Sequence, residues 1–359
     1  MASAMKLEPG KTLLLDGPAS ATVLSGLVSV FGAEVRPRKK VVVRKGRRLP
    51  LEAIKPSELN VVVGLNGSAS IADGSPIPDS WREAAKEILS TGGPKKIMVL
   101  GGVDVGKTSL CTFLANVALS SGFSVGVVDA DVGQSDIGPP CTIGFARIDK
   151  PVVDLSELRA QHVFFLGDKT PSSSISRALE GVKHMVEEAS REGLDVLFVN
   201  TDGWVSGAGA VEYKKALAEV VEPNVILALR RGGELDHIIA ALGRWHVKPL
   251  DVSPFVKERD RQVRRELRAI GYRRYLEGGK AISVNLDWVE VDGVLPGPRF
   301  RTSKARIALI SSILGFEPLY YGESPEEALL VLDEEMPIDE GALARLEGEL
   351  RKKVRIMFK

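Results

Sequence analysis

The chain has 359 residues, 44% of them apolar and 26% charged, with a net charge of +1. That length accommodates more than one domain, and the composition is that of a soluble globular protein. The near-zero charge excludes a globally basic nucleic-acid binder, so any anion site must come from local clusters. Two cysteines, Cys111 and Cys141, exclude a disulfide framework, and no apolar run approaches membrane-spanning length. The segment Met1–Lys6 lacks the apolar stretch of a signal peptide, so a cytoplasmic location is expected.

Residues 1–80 read as a small β-sandwich-like domain. Leu13–Leu15, Ala21–Leu24, Val41–Val43 and Asn60–Val63 are apolar or β-branched, and Gly17-Pro18, Gly26, Gly32 and Gly46 punctuate them. Residues 72–78 look like a linker, and Trp81–Leu89 has helical character. Residues 81–280 then alternate strand and helix. Strands are predicted at Ile97–Leu100, Val125–Val128, Val163–Leu166, Val196–Val199 and Val225–Leu229, with helices at Thr108–Ser121 and Ile175–Ala189. Continuous apolar strands with helices between them indicate a doubly wound parallel sheet covered on both faces. The stretch Val256–Tyr275 is strongly basic and reads as helical. Residues 281–359 form a β-rich α+β domain, with strands at Ile282–Leu286, Val289–Val291 and Val354–Phe358 and a helix at Ile338–Lys352.

The strongest motif is Gly101-Gly102-Val103-Asp104-Val105-Gly106-Lys107-Thr108, which fits the phosphate-binding P-loop pattern, with an apolar strand before it and a helix from Ser109 after it. Glycines let the backbone wrap phosphate oxygens, and N–H groups at the helix start point at the anion. Lys107 would reach the β- and γ-phosphates of ATP, and the Thr108 hydroxyl would hold Mg²⁺. The bland alternative is a Gly-rich turn with a chance lysine; the flanking strand and helix weigh against it. The next strand ends in Asp129-Ala130-Asp131, where a parallel sheet gathers its ligand-binding groups. Alternation puts both carboxylates on one side of an extended chain. From the residues alone, either could hold Mg²⁺ or accept a hydroxyl proton.

With these residues in view, the chain resembles the polynucleotide 5′-hydroxyl kinases of RNA cleavage and tRNA or ribosomal RNA processing, the archaeal members above all. Gly-x-x-Asp104-Val105-Gly106-Lys107-Thr108 and Asp-x-Asp131-Val132-Gly133-Gln134 carry the likeness. Gly167-x-x-Thr170-Pro171-Ser172, Thr201-x-Gly203-Trp204 (the clasp) and Val256-x-x-Arg259 with Arg264-Arg265-Glu266-Leu267-Arg268 (the arginine lid) follow in the family's order. The specific part is residues 101–268. The resemblance implies a central P-loop NTPase sheet between two smaller domains, and transfer of the ATP γ-phosphate to the 5′-hydroxyl of RNA or DNA. It assigns Asp131 to activate the acceptor hydroxyl, Trp204 to stack on the terminal base, and Arg259 and Arg264 to meet the transferring phosphate. Gln134, Thr170 and Thr201 belong with the acceptor site, and Asp129 with the metal. RNA-processing proteins are expected partners. Asp136, where relatives often carry a small uncharged residue, is a departure that bears on acceptor contact.

Each assignment has a plainer rival. Trp204 could be loop packing, and Thr170 could cap the helix after Pro171. The basic stretch could be a solvated helix face. Arg259 and Arg264 lie five residues apart, more than one turn of about 3.6 residues, so either a helix starts near Arg259 or only one of them meets phosphate. Arg38-Lys39-Lys40 and Arg47-Arg48 read as surface clusters, and His162, His184, His237 and His246 suggest no metal or triad. The rival function is a nucleotide-binding scaffold without catalysis. A GTPase is disfavoured because Arg230-Arg231-Gly232-Gly233 stands where Asn-Lys-x-Asp would be. A kinase for a small metabolite shares the P-loop.

Overall fold

The computed structural model describes residues 2–280 apart from Thr91, and residues 303–358 apart from 324, 326 and 334–337. The predicted strands at 282–286 and 289–291 lie outside the described residues. Two compact units divide at Gly278, Met1–Gly278 and Gly279–Lys359.

The first unit opens with a seven-stranded antiparallel sheet: β1 (Ala2–Leu7), β2 (Lys11–Asp16), β3 (Ala19–Val30), β4 (Ala33–Val35), β5 (Lys40–Val43), β6 (Arg48–Val63) and β7 (Ser68–Asp73). The long strands β3 and β6 pair along most of their length, with register shifts between Val23 and Val28. Such irregularities bend and twist a strand pair. The two ends of β6 accordingly take different partners on its other edge, β2 near Arg48 and β1 near Val62.

Helix α1 (Asp79–Ser90) leads into the second sheet, in which β8 (Lys95–Gly101), β9 (Val125–Ala130), β12 (Val196–Thr201), β13 (Val225–Arg230) and β14 (Val247–Asp251) run parallel in the order β9-β12-β8-β13-β14. Helices α2 (Lys107–Ser120), α3 (Ile175–Arg191), α4 (Ala208–Val221) and α5 (Asp236–Ala241) connect them. One expectation is corrected here. Val163–Leu166 is no part of the parallel set: β11 (His162–Phe165) pairs antiparallel with β10 (Thr142–Ile148), and β10 pairs antiparallel with β9. The connection from β9 to β10 is too short for a crossover helix, so the chain turns back as a hairpin.

Two apolar cores lie on the two faces of this sheet. One joins the N-terminal sheet, α1 and α2; the other holds α3, α4 and α5. Helix α2 is buried among both sheets. Asn116 locks it there, donating to the carbonyls of Phe31 and Val152, both at 2.8 Å, and accepting from Val152 N–H at 2.9 Å. Because β9 and β12 lie to one side of β8 and β13 and β14 to the other, the strand order reverses at β8, where open α/β sheets form their ligand crevice.

The last helix of the unit, α6 (Arg261–Leu276), begins at Arg261 with Asp260 as its cap, so Val256–Asp260 is not helical as expected. The second unit contains α7 (Lys304–Leu314), β15 (Tyr320–Glu323), β16 (Glu327–Leu332), α8 (Glu340–Leu350) and β17 (Lys353–Phe358), the three strands forming one sheet around Ile310, Leu330 and Leu346.

Candidate functional site

A cavity of about 480 Å³ opens at the carboxyl ends of β8 and β9. The phosphate-binding loop forms its floor. Gly106 caps α2 with φ of 95°, in the left-handed region that a residue with a side chain rarely adopts. This conformation turns the chain directly from loop into helix, leaving the first N–H groups of α2 without intrahelical partners. The Lys107 side chain is buried and folds back to donate to the Gly102 carbonyl at 2.6 Å, and burial lowers its pKa. A buried ammonium held by one carbonyl is short of negative charge.

The two carboxylates at the end of β9 differ sharply. Asp129 is fully buried. Its Oδ1 accepts from Asp131 N–H at 3.2 Å and Asn200 Nδ2 at 3.0 Å. Its Oδ2 accepts from Asp136 N–H at 2.7 Å, Ser135 Oγ at 3.2 Å and Ile137 N–H at 3.4 Å. Burial, with Asp136 and Asp131 nearby, pushes its pKa up to about 7. Asp131 lines the cavity. It accepts from Gln134 N–H at 3.1 Å, and burial raises its pKa to about 6 against the pull of Lys107. Asp131 therefore faces the cavity with free acceptor capacity, while Asp129 is occupied in fixing the loop behind it.

An oxygen-rich corner lies between them. Asn200 Nδ2 donates to Thr108 Oγ1 at 3.4 Å, and Asn200 Oδ1 is buried with no hydrogen-bond partner among the described residues. The orphaned Oδ1, on a residue whose Nδ2 meets the Thr108 hydroxyl and the Asp129 carboxylate, is an oxygen donor of the kind Mg²⁺ prefers. Among the described residues no cluster of three or more acidic, His or Cys groups could hold a metal alone. Mg²⁺ usually keeps waters and shares its coordination with substrate phosphates. Sequence reasoning missed Asn200; its place as the first polar residue after the apolar run Val196–Val199 was the available signal.

The arginine lid resolves the spacing question. Arg259 precedes α6, so helical periodicity does not apply to it. Both arginines converge on Asp104 of the phosphate-binding loop: Arg259 Nη1 at 3.4 Å from Oδ1 and Arg264 Nη1 at 3.0 Å from Oδ2. Arg268, one helical turn beyond Arg264, also lines the cavity. Arg47 and Arg48, expected at the surface, are corrected: both line the cavity. Arg48 makes a two-pronged contact with Asp16, at 3.0 and 2.8 Å, and Arg47 pairs with buried Asp136. Asp136 is thus matched by a cation from the N-terminal sheet.

The clasp loop leaves β12. A Cβ on Gly203 would come within 2.9 Å of Val103 N, so only glycine lets this loop rest on the phosphate-binding loop. Trp204 N–H donates to Asp202 Oδ1 at 2.9 Å, and Lys214 Nζ, fully buried, grips Asp202 Oδ2 at 2.8 Å. The Trp204 ring stacks on Tyr213 with centroids 5.7 Å apart, and the residue borders the cavity. Thr170 lines the cavity while capping the 3₁₀ turn Pro171–Ser173. Gln134 lines it too, with its amide 3.5 Å from the Arg264 carbonyl. Thr201 does not line it: its hydroxyl is fully buried and donates to the Val99 carbonyl at 2.8 Å.

Residues 101–278 match the family model described as the mRNA cleavage and polyadenylation factor CLP1 P-loop. A polyribonucleotide 5′-hydroxyl-kinase of Pyrococcus abyssi is 39% identical over 217 residues, 60% of this chain and 60% of its own. One of Thermococcus kodakarensis is 40% identical over 218 residues, 60% of this chain and 61% of its own. The match thus spans about three fifths of the length of these curated relatives. The solved structure of a wild-type Clp1p–Pcf11p (454–563) complex shares the fold, with a TM-score of 0.67 at 16% identity over 79% of this chain and 75% of that one.

Proposed function

We propose that this chain, whose residues 101–278 match the CLP1 P-loop family model and which is similar to polyribonucleotide 5′-hydroxyl-kinases, transfers the γ-phosphate of ATP to the 5′-hydroxyl end of a polynucleotide, RNA in the first place. The observation that carries this reading is the meeting of three kinds of group on one cavity: Lys107, Asp131, and the two arginines Arg259 and Arg264 all line it.

Each group answers a need of the reaction. Phosphoryl transfer asks little covalent chemistry of a protein and much positioning and charge stabilisation. The N–H groups of Gly106–Ser109 and the Lys107 ammonium would hold the β- and γ-phosphates, replacing the Gly102 carbonyl as the lysine's partner. Asp131 would take the proton of the attacking hydroxyl. A carboxylate whose pKa is raised towards neutrality is a better base than a solvated one and is still ionised at neutral pH. The lid arginines would stabilise the charge spread over the equatorial oxygens in flight. Mg²⁺, when bound, supplies charge neutralisation across the phosphates; Thr108 and Asn200 would hold it, with Asp129 fixing Asn200 from behind. Trp204 would offer the ring face not covered by Tyr213 to the terminal base, and Gln134 and Thr170 would contact the acceptor end.

The test is incubation with γ-labelled ATP, Mg²⁺ and matched oligoribonucleotides bearing 5′-hydroxyl or 5′-phosphate ends. Label on the 5′-hydroxyl oligonucleotide alone is expected. ATP binding without label on either overturns the reading in favour of a non-catalytic scaffold.

A further inference from the structure

We propose that Asp104 is the positioning residue of the arginine lid: its carboxylate gathers Arg259 and Arg264 beside the phosphate-binding loop, so that both guanidinium groups stand ready for the phosphoryl group. The inference rests on the kinase reading above and assigns a residue that the phosphate-binding pattern itself leaves open.

Asp104 occupies one of the variable positions of that loop and turns its side chain away from the floor to the lid. Three donors from the lid reach it. Arg259 N–H lies 3.0 Å from Oδ2, Arg264 Nη1 lies 3.0 Å from Oδ2, and Arg259 Nη1 lies 3.4 Å from Oδ1. The side chain is only 9% exposed, so these charge-assisted contacts are little screened by water. Arg264 Nη1 also donates to the Arg259 carbonyl at 2.6 Å, and Arg259 Nε to the Gly46 carbonyl at 3.2 Å. One carboxylate therefore joins an arginine on α6 to an arginine on the loop before it, which helix geometry alone would not bring together.

The unused valences point to a ligand. Among the described residues, Nη2 of Arg259 and both Nε and Nη2 of Arg264 have no acceptor, although both residues line the cavity. Burial and the neighbouring Arg47 push the Arg259 pKa down, a sign of crowded positive charge. Asp104 offsets that crowding with one negative charge, leaving the cluster net positive towards an incoming phosphate. A guanidinium held on one edge by a carboxylate keeps its other edge free for a second planar anion.

The rival explanation is conformational. Asp104 has φ of 55°, a region that Asp and Asn tolerate better than other side chains, so the residue could serve the turn alone. Asp104→Asn separates the two, since it keeps the tolerance and removes the charge. In this variant kcat for RNA phosphorylation should fall about 10²-fold, the scale of a small misplacement of catalytic groups. The KM for ATP should stay near wild type. Amide hydrogen exchange across residues 259–268 in the nucleotide-free protein should accelerate. Added to the Arg259→Ala, Arg264→Ala double variant, Asp104→Asn should cost little more, because it acts through those side chains. Wild-type kcat and wild-type exchange in Asp104→Asn overturn the proposal. So does a loss that adds in full to that of the arginine variants, or one confined to the KM for ATP. If the wild-type protein phosphorylates no RNA but exchange still responds to Asp104→Asn, the kinase reading fails and the positioning role stands.

Discussion

The phosphate-binding loop and the arginine lid form two walls of one cavity, and they owe their shapes to different kinds of information. In the loop, Gly101–Thr108, the shape is local. A buried strand, a left-handed glycine and a helix start follow one another within eight residues, and Lys107 reaches back only to Gly102. In the lid, Val256–Arg268, almost nothing is local. Lys257 pairs with Asp16 at 3.2 Å, Arg259 with Gly46 and Asp104, and Leu267 packs on Gly46. Helix α6 has no fully buried residue, so it is held by its polar ends and by contacts such as Tyr275 Oη to the Ile137 carbonyl at 2.5 Å. Elements held by few apolar contacts open at low free energy. A lid held mainly by polar contacts, above a floor built on a buried strand and helix, suits the proposed phosphoryl transfer, which would need the site to admit substrates and then exclude water.

Substitutions on the two walls should separate these roles. Lys107→Ala, on the floor, should abolish transfer with the fold intact, because its ammonium contacts one carbonyl and leaves the apolar core untouched; near-normal labelling of RNA by this variant would remove the floor from the account. Arg259→Ala and Arg264→Ala, on the lid, should each lower kcat about 10³-fold or more while ATP affinity, read by calorimetry, changes little. The control is Arg273→Ala, on the same basic helix but exposed and with no side-chain partner among the described residues. Its kcat should match wild type, and equal losses in all three would reduce the lid to a charged surface.

Between the walls, Asp131→Asn should keep ATP binding and lose turnover by about 10²-fold or more, as for a missing general base. Asp129→Asn should act differently. It would turn an amide NH₂ towards backbone donors that now meet a carboxylate, so its first effect should be a lower melting temperature. Equal kinetic losses in both, without destabilisation, would point to shared Mg²⁺ positioning instead. The smallest effect belongs to Trp204→Ala. Loss of one stacked base, about 1–3 kcal/mol, should raise the KM for oligonucleotide and leave the KM for ATP in place. A large drop in melting temperature would assign the ring to packing on Tyr213.

The same contrast governs what could be read in the sequence. Apolar strands β8, β9, β12 and β13 announce themselves by composition, and the phosphate-binding loop by its spacing. Strand β14 did not, because Val247–Asp251 contains Pro249, a residue that sheets accept only where one edge is unpaired; among the described residues β14 is such an edge, paired only with β13. Strand β10 follows Pro139-Pro140 and carries Gly144, and it is not among the predicted strands. Arg47-Arg48 looked like a solvated pair, since nothing near them in sequence reveals Asp16 or Asp136 as partners. The choice between Asp129 and Asp131 rested on resemblance in the sequence; the structure adds that Asp131 lines the cavity while Asp129 is buried and occupied by five donors.

The central claim is that the chemistry occurs at the 5′ end of the acceptor, and the most direct measurement reads that end. A 5′-hydroxyl RNA is incubated with the protein, ATP and Mg²⁺, then treated with an exonuclease that degrades only 5′-phosphorylated RNA. The account predicts complete digestion with the wild-type protein, none without ATP, and none with Lys107→Ala. Bound or hydrolysed ATP with the RNA left fully resistant would contradict it.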